Sequence, residues 1–345
     1  MKKFIYKTTI ISLPVLILLL LVNYFGDAAR LFDNDYEKQM AKIIASNKYV
    51  TNIENYDERL FQKELISNKN IQPNLVIIGS SRTMLINSDL FPSALLFNNS
   101  VSGASIEDIV SIYELYKINK KSPQKIIIGI DPWTFNENNG QKRWQSISAY
   151  YYSFQSTINQ ENTTYFKYKE LFSFSYFQSS LKMIPRFIAG NANPKSTKEI
   201  HNLLGTKLTD GSLVYGEQYR NANQIEIDNK INSFLTGGIY SIEDFDTISV
   251  RILNEFEKLI IDMKENGIEI EFFLAPYAPV VYDKIQKKYP MVLKSEEMIN
   301  DFASSNNIKL YGSFNPYILG MDETYFYDGM HCKEVGIEMI IKMKN

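Results

Sequence analysis

The longest uninterrupted apolar run opens the chain: Lys2, Lys3 and Lys7 lead into residues 8–25, which carry no charge and are mostly Ile, Leu and Val. That is about the length a helix needs to cross a bilayer, and the lysines would hold the leading end in the cytoplasm and send the rest outside. A cleaved signal peptide is the competing reading, since Gly26-Asp27-Ala28 offers small residues at the two positions a signal peptidase reads. Its apolar core would be unusually long. Residues 35–48 and 56–66 then mix charges with apolar residues at helical spacing, which predicts a juxtamembrane helical stalk. Beyond Pro73 the pattern changes to short apolar runs. Residues 75–78 are four consecutive apolar positions running into Gly79-Ser80-Ser81-Arg82, as a buried parallel strand does when it delivers small polar residues to a sheet edge.

A second strand over 95–97 ends in the polar loop Asn98-Asn99-Ser100-Val101-Ser102-Gly103, and Ser105 caps a helix with Ile109, Ile112 and Tyr113 on its apolar face. A third strand over 125–130 is stopped by Asp131-Pro132-Trp133. From 135 to 245 Tyr, Phe, Asn and Ser become frequent and strand-helix alternation disappears, which marks an insertion. Within it a helix is expected over 165–188, a turn at Asp210-Gly211 before 212–215, and a loop at 236–238. Regularity returns with a helix over 245–263, a strand over 268–274, a helix over 295–304, a strand over 308–311 and a closing helix over 335–343. Such alternation predicts an α/β fold with a parallel sheet covered on both faces. The expected organisation is a membrane anchor over 1–30, a stalk over 31–72, and one domain over 73–345 that carries the insertion.

Composition narrows the chemistry. The 345 residues have a formal net charge of -2 and no basic cluster interleaved with aromatics, which argues against nucleic acid as a partner. A single cysteine, Cys332, excludes an internal disulfide and a multi-cysteine metal site, and only two histidines, His201 and His331, disfavour a histidine zinc centre. No cofactor or metal is expected. The 13% aromatic content is high; Trp133, Trp144, Tyr150, Tyr151 and Tyr152 either line a glycan groove or form a local core or partner interface.

Ser81 is either a helix cap or a nucleophile, and the strand before it does not decide. Near the far end stands Tyr327-Asp328-Gly329-Met330-His331. Asp and His three apart on one turn let the carboxylate orient the imidazole while its other nitrogen faces a serine. Either residue alone reads as a cap or an ordinary surface histidine. Met330 and Cys332 read as packing residues, and His201 receives no catalytic role.

In this order, strand-Gly-Ser-Ser, a glycine loop, strand-Gly-x-Asp and a late Asp-x-x-His, the chain resembles the SGNH (GDSL-like) hydrolase superfamily. More specifically it resembles the membrane-anchored extracytoplasmic branch that includes alginate O-acetylation proteins and the teichoic-acid D-alanyl transfer protein. The resemblance covers roughly 75–131 and 268 to the C-terminus. It implies a flavodoxin-like three-layer sandwich around a five-stranded parallel sheet, with Ser81 as nucleophile, Asp328 and His331 completing a triad, and the Gly103 amide in the oxyanion hole. The family's third block is Gly-x-Asn-Asp, whereas this chain reads Gly129-Ile130-Asp131-Pro132. An ionised Asp131 accepts hydrogen bonds and would repel developing negative charge. Three accounts are open: Asp131 is protonated, it pairs with Arg82 and leaves the backbone amides of Ser81 and Gly103 to do the work, or the site is weak or dead. The Arg82 pair is favoured, because Arg82 otherwise has no obvious partner at the sheet edge.

The activity so implied is acyl transfer through an acyl-Ser81 intermediate, giving an esterase with water or an O-acyltransferase with a sugar hydroxyl. The expected acceptor is a cell-surface polysaccharide or teichoic-acid-like polymer, contacted in part by Trp133 and Asn99. The expected partner is a multispanning membrane O-acyltransferase. From a different class comes a non-catalytic membrane-tethered scaffold or glycan-binding partner.

Overall fold

A computed structural model of the chain describes residues 1–28, 30–32, 35–68, 72–157, 168–190 and 192–343, without the side chains at 5, 8, 9, 186 and 187. Its strands are β1 (Tyr49–Thr51), β2 (Leu75–Ile78), β3 (Leu96–Asn98), β4 (Lys125–Gly129), β5 (Lys195–Thr197), β6 (Thr206–Lys207), β7 (Leu213–Val214), β8 (Glu269–Leu274) and β9 (Lys309–Gly312). The runs read as strands become a 5-stranded sheet in the order β3-β2-β4-β8-β9. All of its pairings are parallel. Every residue of β2 is buried, as are all of β4 and β8 after their first residues. Burial on alternate side chains alike means that helices cover both faces, which is why these strands read as unbroken apolar runs.

Counted along this sheet, the strand order is second, first, third, fourth, fifth, that of the flavodoxin-like doubly wound fold. The chain leaves β2 towards β3 on one side and returns to β4 on the other. That reversal opens a crevice beyond the carboxyl ends of β2 and β4. Two glycines shape it: a Cβ at Gly79 would fall 2.6 Å from Thr83 Oγ1, and one at Gly129 would fall 2.5 Å from Thr83 Cγ2. Thr83 fills the space they leave, and its hydroxyl donates to the Ser80 carbonyl at 2.9 Å. The turn carrying Ser81 is thereby pinned to the sheet.

Helices expected between and after these strands lie at Ile106–Ile118, Val250–Glu265, Pro290–Ser305 and Glu334–Lys342. An unexpected one at Pro279–Lys288 starts on a proline at its first turn. The helices Tyr36–Ala45 and Glu58–Ser67 pack together over Val50 and Phe97 with Tyr36, Met40, Ile44, Phe61 and Leu65. Arg59 reaches the domain proper, donating to both Asp108 oxygens at 2.9 Å. In the insertion, β5, β6 and β7 join β1 in a 4-stranded antiparallel sheet ordered β5-β1-β6-β7, and a helix spans Phe174–Ile188. Residues 165–167 of the helix expected there fall outside the described residues.

The N-terminal segment is helical over Lys2–Gly26, and Ile11, Val15 and Leu18 stand out into solvent. Among the described residues no helix is long and apolar enough to cross a membrane.

Lys207 in β6 is fully enclosed, donates to the Gly211 carbonyl at 3.0 Å, and is pushed down to about 8 by burial, against the pull of Glu58 and Asp210. Its ordinary value is about 10.4, so the unfolded chain holds the proton longer and stability rises with pH between those two values. Thermal melts should show wild type gaining on Lys207→Met from pH about 8 to about 10.4; a constant difference would place the ammonium in water.

Candidate active site

The Ser81 turn follows β2, and the 328–331 turn precedes the last helix, 250 positions away along the chain. In space they meet. Ser81 Oγ lies 2.9 Å from His331 Nε2, and His331 Nδ1 lies 2.9 and 3.0 Å from the two Asp328 oxygens. With Nδ1–H donating to the carboxylate, Nε2 is the free acceptor for the serine proton, the tautomer a general base requires. Asp328 is fixed in turn by the amides of Met330 and His331, which donate to its Oδ1 at 2.9 and 3.0 Å. Burial pushes its pKa up, but hydrogen bonds from the imidazole and these amides outweigh that and leave it below its ordinary value. The carboxylate therefore stays charged wherever the imidazole can act as a base.

Arg82 stands immediately behind. Its Nη1 donates to Asp131 Oδ1 at 2.9 Å, its Nε to the Met330 carbonyl at 3.0 Å, and its Nη2 to the Ala275 carbonyl. Tyr277 covers the guanidinium face at 4.2 Å. Both members of the Arg82–Asp131 pair are buried, so the expected neutralisation of Asp131 is present in the geometry. The amides of Ser81 and Gly103 donate to no protein acceptor among the described residues, which leaves both available to an oxyanion. Gly103 has φ +55°, and a Cβ there would collide with the Tyr240 hydroxyl and sit 2.5 Å from Arg143 Nη2. Glycine is therefore required for both reasons. Beside this loop opens a cavity of about 550 Å³ whose lining includes Tyr56, Glu58, Ser102 and Arg143 but not Ser81.

Two expected substrate contacts are corrected. Trp133 is 1% exposed, and its indole N–H donates to the Ala104 carbonyl at 3.0 Å. Asn99 is fully buried, donating to Gln62 Oε1 and accepting from the Tyr116 hydroxyl, each at 2.6 Å. Both residues support the sheet edge from behind; an apolar or well-paired side chain gains more from burial than from lining a wet groove. Trp144, Tyr151 and Tyr152 pack on one another at 5.1–6.1 Å and against the main core, the local-core alternative. Cys332 is buried and its thiol is pushed up to about 12, so it is inert as a nucleophile.

The insertion contributes residues that the sequence did not single out. Tyr215 sets its ring 6.4 Å from the His331 ring and 5.2 Å from that of Tyr327. Arg143 and Tyr240 bond to each other at 3.0 Å over the glycine loop. No periodicity in 135–245 marks these positions; only their folding back onto the sheet edge does. No family model and no curated protein matches the chain.

Arg82→Gln should cost about 3–5 kcal/mol in urea unfolding, because it strands the Asp131 charge. The double variant Arg82→Gln/Asp131→Asn should recover part of that loss. Strict additivity of the two single changes would show that the pair is not coupled.

Proposed function

We propose that the chain is a serine acyltransferase or esterase of the SGNH-like kind, working through an acyl group on Ser81. The observation that carries the reading is the continuous relay from Ser81 Oγ to His331 Nε2 and from His331 Nδ1 to Asp328, formed by residues so distant in sequence. A cap serine and a surface histidine have no reason to meet in this geometry. Motif order and the free amides of Ser81 and Gly103 support the same reading.

Chemistry follows from the contacts. Ser81 Oγ attacks an ester carbonyl as its proton passes to His331 Nε2, and the carbonyl oxygen takes the negative charge, facing the two amides. The imidazolium is stabilised by Asp328. It returns the proton to the departing alkoxide, leaving an ester on Ser81. An incoming hydroxyl then gives its proton to His331 and takes the acyl group, and the imidazolium returns that proton to the departing Ser81 Oγ. Water yields free acid, and a sugar hydroxyl yields an O-acylated glycan. Arg82 compensates Asp131, so the acidic residue in place of the usual asparagine need not oppose the oxyanion.

The setting we propose is extracytoplasmic, with residues 1–26 as a single-pass anchor. Its support is the lysine flank and the apolar side chains turned outward along that helix. The acceptor class that fits is a cell-surface polysaccharide or teichoic-acid-like polymer, and the partner a multispanning membrane O-acyltransferase that supplies the acyl group.

The full chain, incubated with an activated acetyl ester with and without oligosaccharide, should release acid or acetylate sugar, as followed by mass spectrometry. Ser81→Ala should abolish both, and Asp328→Asn should lower the rate about 10⁴-fold, the size of effect known for the triad aspartate in a serine protease. Equal turnover by Ser81→Ala and wild type would leave a scaffold role instead.

A further inference from the structure

The Phe174–Ile188 helix packs against the Lys2–Gly26 helix. Asn23 Nδ2 donates to the carbonyls of Glu170, Leu171 and Ser173 at 2.9–3.1 Å, and the Tyr176 hydroxyl donates to Asp27 at 2.7 Å. Gly26 lies so close that a Cβ there would fall 2.6 Å from Ser180 Cβ. The two helices are therefore held in one fixed relation.

Three stripes run along the second helix. Tyr176, Ser180 and Met183 are buried, and Ser175, Gln178, Ser179 and Lys182 form a solvated polar stripe. The third is apolar and uncovered: Phe174 is 65% exposed, Leu181 45% and Ile188 82%, spaced at sevens so that they share one side. Phe172, in the turn before the helix, is also 62% exposed. At the adjoining end of the first helix Tyr24 and Phe25 are also exposed, and Tyr24, Phe32 and Tyr168 follow one another with rings 5.3 and 5.9 Å apart. Soluble surfaces rarely leave so many large apolar groups contiguous.

We propose that the Phe174–Ile188 helix lies in the outer headgroup–acyl boundary of a phospholipid bilayer, a second membrane contact that sets the height and tilt of the domain. This rests on the anchoring reading above. If the lysine end of the first helix stays inside, its last turns emerge at the outer interface, and a helix packed on those turns is held at the same depth. Aromatic side chains cluster at that depth in membrane proteins, and an amphipathic helix with an apolar stripe and a polar stripe lies in the plane there. A second copy of the chain would also cover the stripe, but continuity with the exposed aromatics of the first helix favours lipid.

The test uses the full chain in phosphatidylcholine/phosphatidylglycerol vesicles, with a fluorophore at Leu181→Cys or Ile188→Cys and quenching by spin-labelled lipids. Phe174→Cys is a second site should either variant melt early. Val15→Cys reports on the anchor and Lys287→Cys on an exposed position of the helix Pro279–Lys288. Labels at 181 and 188 should be quenched at least twofold more than that at 287 by a quencher near the headgroups, and the label at 15 most by one deep in the acyl chains. Quenching at 15 with none at 181 or 188 overturns the proposal and leaves the anchor standing. No quenching at 15 overturns both. Cross-linking of 181 between copies without lipid quenching assigns the stripe to a dimer and overturns it too.

Discussion

A buried guanidinium organises the crevice. Arg82 follows Ser81 directly, so its contacts fix where the hydroxyl emerges. Those contacts run to Asp131 in the turn after β4, to the loop after β8, and to the carbonyl that precedes His331. One cation thus ties the serine turn to the three other segments that build the sheet edge. Leaving any of its donors unmet in so dry a place would cost several kcal/mol, so the arrangement holds together as a unit. The planar fork matters here: a lysine ammonium could not reach a carboxylate and two carbonyls in diverging directions.

Behind this centre lies a second polar layer that positions the glycine loop. Glu58 accepts from the amide and hydroxyl of Ser102, while Arg59 pairs with Asp108 and donates to the Ser102 carbonyl. Gln141, from the insertion, donates to the Gly103 carbonyl at 3.1 Å and also to Asp108 at 2.6 Å. The helix carrying Glu58 and Arg59, read from sequence as part of a stalk, therefore supports the loop beside the nucleophile. A peripheral segment has become part of the site's foundation.

What was legible in the sequence was what local physics dictates. The sheet strands stand out because strands buried on both faces need continuous apolar runs, and Gly79 and Gly129 mark where they end at the crevice. The Asp328–His331 spacing and the Arg82–Asp131 pair were readable because each is short-range chemistry at such an edge. Strands β1, β5, β6 and β7 were not, since isolated strands of two or three residues are too short to carry a periodic signal. Trp133 misled because an aromatic residue looks the same in sequence whether its indole faces a sugar or the Ala104 carbonyl. Tyr215, Arg143 and Tyr240 stayed invisible because their relevance exists only once the insertion has folded over the edge.

The reading of Ser81 as an activated nucleophile is tested most directly by reacting the full chain with a fluorophosphonate probe and mapping the adduct by tandem mass spectrometry. A phosphonylated Ser81 in wild type, lost in His331→Ala, is the predicted result. An unmodified Ser81 in folded protein, or one modified equally without the imidazole, would contradict the account.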